Sequence, residues 1–222
     1  PGGSSSGSAA GVADMQVPLA FGTQTAGSVI RPAAYCGVVG YKPTFGTHER
    51  KGVKELSNYL DTVGTFARDV ADVSFFDYAL RGQSCPNLTD YDNQPPLIGL
   101  MIPFSIEASK DALLVYENVY KKAEKAGASL VDIPSSMTFE NLADLQTVIM
   151  TGDAGVSLSW EYEHHPERLI RFYRDSIATG RAISGSALKN AKQLADDARK
   201  REASIFEKVD TVSYTHLRAH ET

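Results

Sequence analysis

The sequence predicts an α/β fold with a helical late section. Two patterns carry that prediction. The first is a strand-like run "LIGLMIP" (97–103), an amphipathic stretch (110–126) and a second strand-like run "SLVDIP" (129–134). A strand–helix–strand unit of this kind pairs its strands in parallel. The second is the remainder of the chain, where 138–150, 166–178 and 185–209 read mostly as helix.

The elements follow in order. Ser8 is placed to cap a short helix running through Ala13. "VPLAFGT" (17–23) reads as a buried strand, residues 25–32 as a turn or loop, and "CGVVGYKP" (36–43) as a strand stopped by its proline. Residues 46–58 are polar and loop-like, and "TVGTFAR" (62–68) is strand-like. Asp69 then caps a helix with apolar residues at Val70, Val73, Phe76 and Leu80. Residues 83–96 hold three of the ten prolines and read as a linker or surface loop. In the 110–126 helix, Leu113, Tyr116, Tyr120 and Ala123 share one face, and Gly127 ends it.

Composition narrows the function. The 222 residues suffice for one large domain. Hydrophobic residues are 42% and charged residues 22%, ordinary for a globular domain. The net charge of −5 argues against a general nucleic-acid binder, which carries a basic face. No apolar run approaches the roughly 18 residues of a membrane span. Two cysteines, Cys36 and Cys85, are too few for a disulfide framework, which favours reduced thiols and the cytoplasm. The chain opens inside a Gly/Ser loop and reads as truncated at its N-terminus. The segment "VSYTHLRAHET" (212–222) resembles read-through of a sequencing-library adaptor. Residues 1–211 are therefore read as a partial domain and 212–222 as a tail foreign to the fold. On that reading the i,i+4 pair His216 and His220 is no metal site, and no metal is expected.

The chemistry concentrates in the first fifty residues. Within "GTQTAGSVIRPAAYCG" (22–37), Ser28 follows a small Thr25-Ala26-Gly27 turn. A serine hydroxyl is a poor nucleophile until a base takes its proton. Successive backbone N–H groups in such a turn converge as a nest, which is an oxyanion hole if a carbonyl oxygen sits there. The same residues also suit a glycine-containing turn with a surface serine. "GGSSSGS" (2–8) suits a flexible linker or an anion-binding loop, and it lacks the P-loop pattern. Cys36 reads as a buried structural thiol rather than a nucleophile. His164 and His165, ahead of Pro166, read as surface residues. The charge run 196–203 reads as a solvated helix face.

Taken together, "GGSSSGSAAGVA" and "AFGTQTAGSVIRPAAYCGVVGYKPTFG", with Ser4 and Ser28 24 positions apart, resemble the amidase signature family. "LDTVGTFARDVADV" (60–73), the "LIGL" strand and "AGASLVDIP" extend the resemblance to about residue 210. It implies a twisted mixed sheet between helical layers and a Ser–Ser–Lys triad without histidine. Ser28 matches the nucleophile and Ser4 the middle serine, which the family holds on a cis peptide, here Gly3–Ser4. The backbone of Thr25, Ala26, Gly27 and Ser28 matches the oxyanion hole. The third member, a buried lysine, lies upstream of the middle serine in the family and so outside this sequence. Lys42, 14 residues after Ser28, matches a structural "KPT" segment instead.

The implied reaction is hydrolysis of a carboxamide through a seryl acyl-enzyme, without metal or organic cofactor, and this stretch alone is expected to be inactive. Three positions depart from the common pattern. Arg31 stands one residue later than the usual arginine, Gln24 replaces an aspartate, and Ala26 a glycine. Arg31 suits either a substrate carboxylate or a bridge that holds the loop. The partner implied is a small amide, carboxylate-bearing if Arg31 binds it, with a homodimer as the assembly to test. Two alternatives stand beside this reading: the glutaminase subunit of a tRNA-dependent amidotransferase, and a non-catalytic anion-binding homologue.

Overall fold

The computed structural model describes residues 1–88, 94–101, 109–133 and 142–214. The chain divides into two compact units, Pro1–Tyr91 with Thr147–Leu188, and Asp92–Gln146 with Lys189–Thr222.

The first unit opens with helix α1 (Ser6–Ala13), strand β1 (Ala20–Gln24), helix α2 (Ile30–Cys36), strands β2 (Val39–Tyr41) and β3 (Thr62–Ala67), and helix α3 (Val70–Leu80). β3 is central and antiparallel to both neighbours, with Gly22 opposite Gly64 and Gly40 opposite Phe66. Phe66 joins Ala9, Val12, Val29 and Ala33 in a buried cluster. The two helices that flank the serine-bearing loops thereby pack on the same strand. Burying a side chain as large as Phe66 contributes about 1.5–3 kcal/mol.

Helix α2 differs from the expected loop and strand. Pro32 signals a loop in sequence, yet it falls in the first helical turn, where a missing N–H costs nothing. Gly37, at φ 68°, ends the helix and leaves Cys36 inside it. Helix α3 starts as expected, with the Asp69 side chain accepting from the Asp72 N–H at 2.8 Å. Of its expected apolar residues Val73 is buried, while Val70 and Leu80 are exposed.

In the second unit, strand β4 (Leu97–Met101), helix α4 (Lys110–Lys125) and strand β5 (Ser129–Asp132) form the expected strand–helix–strand unit. β4 and β5 are parallel, with Ile98 opposite Leu130. A further strand, β6 (Thr211–Tyr214), pairs in parallel with the other edge of β4. Its last three residues belong to the segment that the sequence sets apart as a tail. The Tyr116 and Tyr120 hydroxyls donate to the Ser213 carbonyl and hydroxyl oxygens, at 3.2 and 3.3 Å. Burial pushes the Tyr120 phenol above its ordinary pKa.

The late helices are α5 (Leu142–Ser157), α6 (Ser159–His164), a 3-10 turn at Pro166–Arg168, α7 (Arg171–Ala182) and α8 (Gly185–Phe206). Residues 138–141 of the first expected helix lie outside the described residues. The charge run lies on α8, where Arg199 meets Asp196 at 2.8 Å and Lys200 meets Asp197 at 3.3 Å. No helix among the described residues is long and apolar enough to cross a membrane.

Candidate active site

Two loops meet at the site. The first carries Ser4 and Ser5 into the start of α1, and the second runs from the end of β1 to the start of α2. The Ser5 N–H donates to the Ser28 carbonyl oxygen at 3.3 Å. The Ser5 hydroxyl donates to the Thr23 carbonyl and accepts from the Thr23 N–H, each at 3.3 Å. Gly22 makes this approach feasible, because a Cβ there would lie 2.8 Å from Ser5 Oγ. The Gly3–Ser4 peptide is cis, the isomer that the resemblance implies at this bond. Ser4, the neighbour of Ser5, is exposed, and Ser28 is half-buried.

The loop bearing Ser28 is held at both ends by buried side-chain acceptors. Gln24 is 8% exposed, and its Oε1 accepts from Val29 N–H at 2.9 Å and Ile30 N–H at 3.1 Å. These are orphan donors at the N-terminus of α2, so Gln24 supplies a cap that no adjacent residue provides. At the other end, Thr25 Oγ1 donates to Asp61 Oδ1 at 2.5 Å. Asp61, on the approach to β3, also accepts from the Leu56 and Ser57 N–H groups at 2.7 and 3.1 Å. Between these anchors, the N–H groups of Ala26, Gly27 and Ser28 have no hydrogen-bond partner among the described residues. Three consecutive N–H groups left in this way suit an incoming carbonyl oxygen or another anion.

Arg31 turns back onto the first loop. Its Nε donates to the Gly3 carbonyl oxygen at 2.9 Å. The bridge that the sequence suggests is thus made to a backbone carbonyl, not to a carboxylate.

The remaining candidates make other contacts. Lys42 is exposed and donates to the Pro43 carbonyl at 2.6 Å. It lacks the burial that lets a lysine act as a base. Cys36 is half-buried at the end of α2, its Sγ 3.6 Å from the Pro1 carbonyl oxygen. His164 stacks on Trp160 and its Nδ1 lies 2.9 Å from the Trp160 carbonyl oxygen. His165 meets the edge of the same ring. His216 and His220 lie outside the described residues. Among the described residues no group of three or more His, Cys, Asp or Glu side chains could hold a metal ion.

Sequence reasoning assigned no role to Asp61, and noticed Gln24 only as a departure from pattern. A polar residue closing an apolar strand was the available signal for Gln24. Asp61 falls in the quoted 60–73 segment, but nothing local links it to Thr25, 36 positions away.

Known proteins resemble this chain in sequence and in fold. The family model described as Amidase matches residues 1–213. A glutamyl-tRNA(Gln) amidotransferase subunit of Clostridium botulinum (strain Eklund 17B / Type B) is 44% identical over 113 residues, 51% of this chain and 23% of the relative. The corresponding protein of Persephonella marina (strain DSM 14350 / EX-H1) is 35% identical over 174 residues, 72% of this chain and 36% of the relative. A crystal structure of an amidase superposes with a TM-score of 0.86 at 25% identity, covering 95% of this chain and 48% of that one. A bacterial aryl acylamidase of the amidase signature family shares the fold, with a TM-score of 0.76 at 19% identity over 93% of this chain and 47% of its own. The chain spans about half the length of these solved structures, and about a quarter to a third of the two curated relatives.

Proposed function

The chain belongs to the amidase family, and from that premise we propose that it carries the nucleophile of an enzyme hydrolysing a carboxamide to a carboxylate and ammonia or an amine. The observation that carries the reading is the Ser5–Ser28 backbone bond. It ties the residue that follows Ser4 to the loop proposed to carry the nucleophile, whose Ala26, Gly27 and Ser28 N–H groups have no partner among the described residues.

In this mechanism Ser28 Oγ attacks the amide carbonyl carbon. Its proton passes to Ser4 Oγ as the Ser4 proton passes to a neutral lysine, the third member that the family resemblance implies. Negative charge gathers on the substrate oxygen, where the Thr25–Ser28 N–H groups stabilise it. One such donor is worth about 3–4 kcal/mol of barrier. The C–N bond then breaks, the proton returns through Ser4 to the leaving nitrogen, and an ester of Ser28 remains. Water, deprotonated by the same relay, hydrolyses that ester and restores Ser28.

The Arg31 guanidinium uses Nε on Gly3, and its Nη groups are proposed to bind a carboxylate on the substrate. We further propose a cytoplasmic enzyme with a small amide as its substrate, and a homodimer is the assembly to test by sedimentation.

The test is hydrolysis of an amide panel by the enzyme carrying its upstream segment. Mass spectrometry should detect an acyl adduct on the peptide containing Ser28, absent in Ser28→Ala. Turnover that survives Ser28→Ala would refute the proposal. A second reading is favoured by the curated relatives, which are amidotransferase subunits. Under it the preferred amide is glutamine, and partner subunits stimulate ammonia release. The displaced Arg31 weighs against this reading.

A further inference from the structure

We propose that Asp61 is a positioning residue for the reaction at Ser28, acting through the Thr25 hydroxyl, and that Asp153 steadies Asp61 through Ser57; this rests on the reading of Ser28 as the nucleophile. Asp61 and Asp153 are 6% and 7% exposed, and Ser57 between them is fully buried. Buried carboxyl groups persist in a fold only when their oxygens are well provided with donors.

Asp61 divides its oxygens between two tasks. Oδ2 takes the Leu56 and Ser57 N–H groups, which ties the carboxyl group to the backbone of the preceding loop. Oδ1 takes the Thr25 hydroxyl at 2.5 Å, a length characteristic of strong O–H···O bonds to carboxylates. The hydrogen bonds then continue away from the site. Ser57 Oγ donates to Asp153 Oδ2 at 2.6 Å, and the Tyr59 N–H donates to the same oxygen at 3.2 Å. Asp153 lies in α5, so a helix 128 residues downstream of Thr25 is connected to the nucleophile loop.

The position of Thr25 gives this connection its consequence. Thr25 immediately precedes the N–H groups of Ala26, Gly27 and Ser28. Rotation of its backbone would redirect the Ala26 N–H first. Gln24 fixes only the far end of the loop, at Val29 and Ile30. The near end is held by the Thr25 hydroxyl on Asp61. Donors fixed before the reaction need no reorganisation as charge develops.

The experiment is steady-state kinetics on one amide with the enzyme carrying its upstream segment, comparing wild type, Thr25→Val, Thr25→Ser, Asp61→Asn and the double variant Thr25→Val/Asp61→Asn. Thr25→Val keeps the side-chain shape and removes the hydroxyl. It should lower kcat about 10–100-fold, the scale of a small misplacement of reacting groups, and move KM by less than about threefold. Thr25→Ser should recover most of that loss. In Asp61→Asn the amide NH2 can still donate to the Thr25 hydroxyl, so the double variant is compared with Thr25→Val: it should be no slower than that single variant, because Asp61 acts through the Thr25 hydroxyl. Thr25→Val with a lowered melting midpoint but unchanged kcat overturns the inference, as do additive losses in the double variant. If Asp61→Asn does not fold, the Thr25→Val and Thr25→Ser pair decides alone. Wild-type enzyme without Ser28-dependent turnover overturns the underlying reading, and is seen before any Thr25 variant is measured.

Discussion

The Ser5 amide nitrogen donates to the Ser28 carbonyl oxygen at 3.3 Å, which fixes the two serine-bearing loops to each other through backbone. The Ser5 hydroxyl adds two contacts to Thr23, also at 3.3 Å. Ser5→Ala keeps the backbone bond and loses only the hydroxyl contacts. It should cost about 0.5–1.5 kcal/mol in denaturant unfolding. Its effect on kcat should be much smaller than that of Ser4→Ala.

Ser28 and Ser4 should separate by magnitude. Ser28→Ala removes the proposed attacking atom and should lower kcat by about three orders of magnitude or more. Ser4→Ala removes only the proposed proton relay and should cost about 10²–10⁴-fold. Stopped-flow measurement of acyl-enzyme formation should show no adduct for the first and a slowed one for the second.

Arg31 should act in two ways at once. Because its Nε holds the Gly3 carbonyl at 2.9 Å, Arg31→Ala should lower kcat on every amide. If its remaining donors bind a carboxylate, carboxylate-bearing amides should lose about 10-fold or more beyond that common loss. Equal loss on charged and neutral amides would assign Arg31 to the loop alone.

Gln24→Leu should destabilise the first unit by about 1–3 kcal/mol, since it leaves the N–H groups of Val29 and Ile30 without their acceptor. Gln24→Glu retains an acceptor and should unfold nearer to wild type. Urea unfolding of both variants checks this.

Acid should remove one surface contribution. Lys54 Nζ lies 2.6 Å from Glu161 Oε1, and its hydrogen bond holds the Glu161 carboxyl below the ordinary glutamate range. The folded-state pKa is therefore lower than the unfolded one, near 4.3. The pair's stabilisation is fully present above that unfolded value. It is lost as pH falls through the lowered folded value. The pair is partly exposed, so it should be worth less than about 1 kcal/mol. Unfolding of wild type and Glu161→Gln should differ at pH 7 and draw together as the pH falls below the ordinary glutamate range.

The sequence by itself determined the α/β class, the parallel pairing of β4 and β5, and the Asp69 cap. Each depends on local periodicity or on neighbours a few residues apart. It also singled out Ser4 and Ser28, because glycine and serine runs of this kind are distinctive wherever they occur. The tertiary structure decided the rest. Helix α2 was hidden because Pro32 signals a loop locally, and its capping acceptor comes from Gln24, outside the helix. Asp61 was silent because Thr25, its one distant partner, is brought to it only when β1 and β3 pair. A buried acceptor acquires its meaning from the donors around it, and those donors are set by packing between segments far apart in the chain. The distance from Thr25 to Asp61 in sequence is 36 positions, while the atoms that join them are 2.5 Å apart.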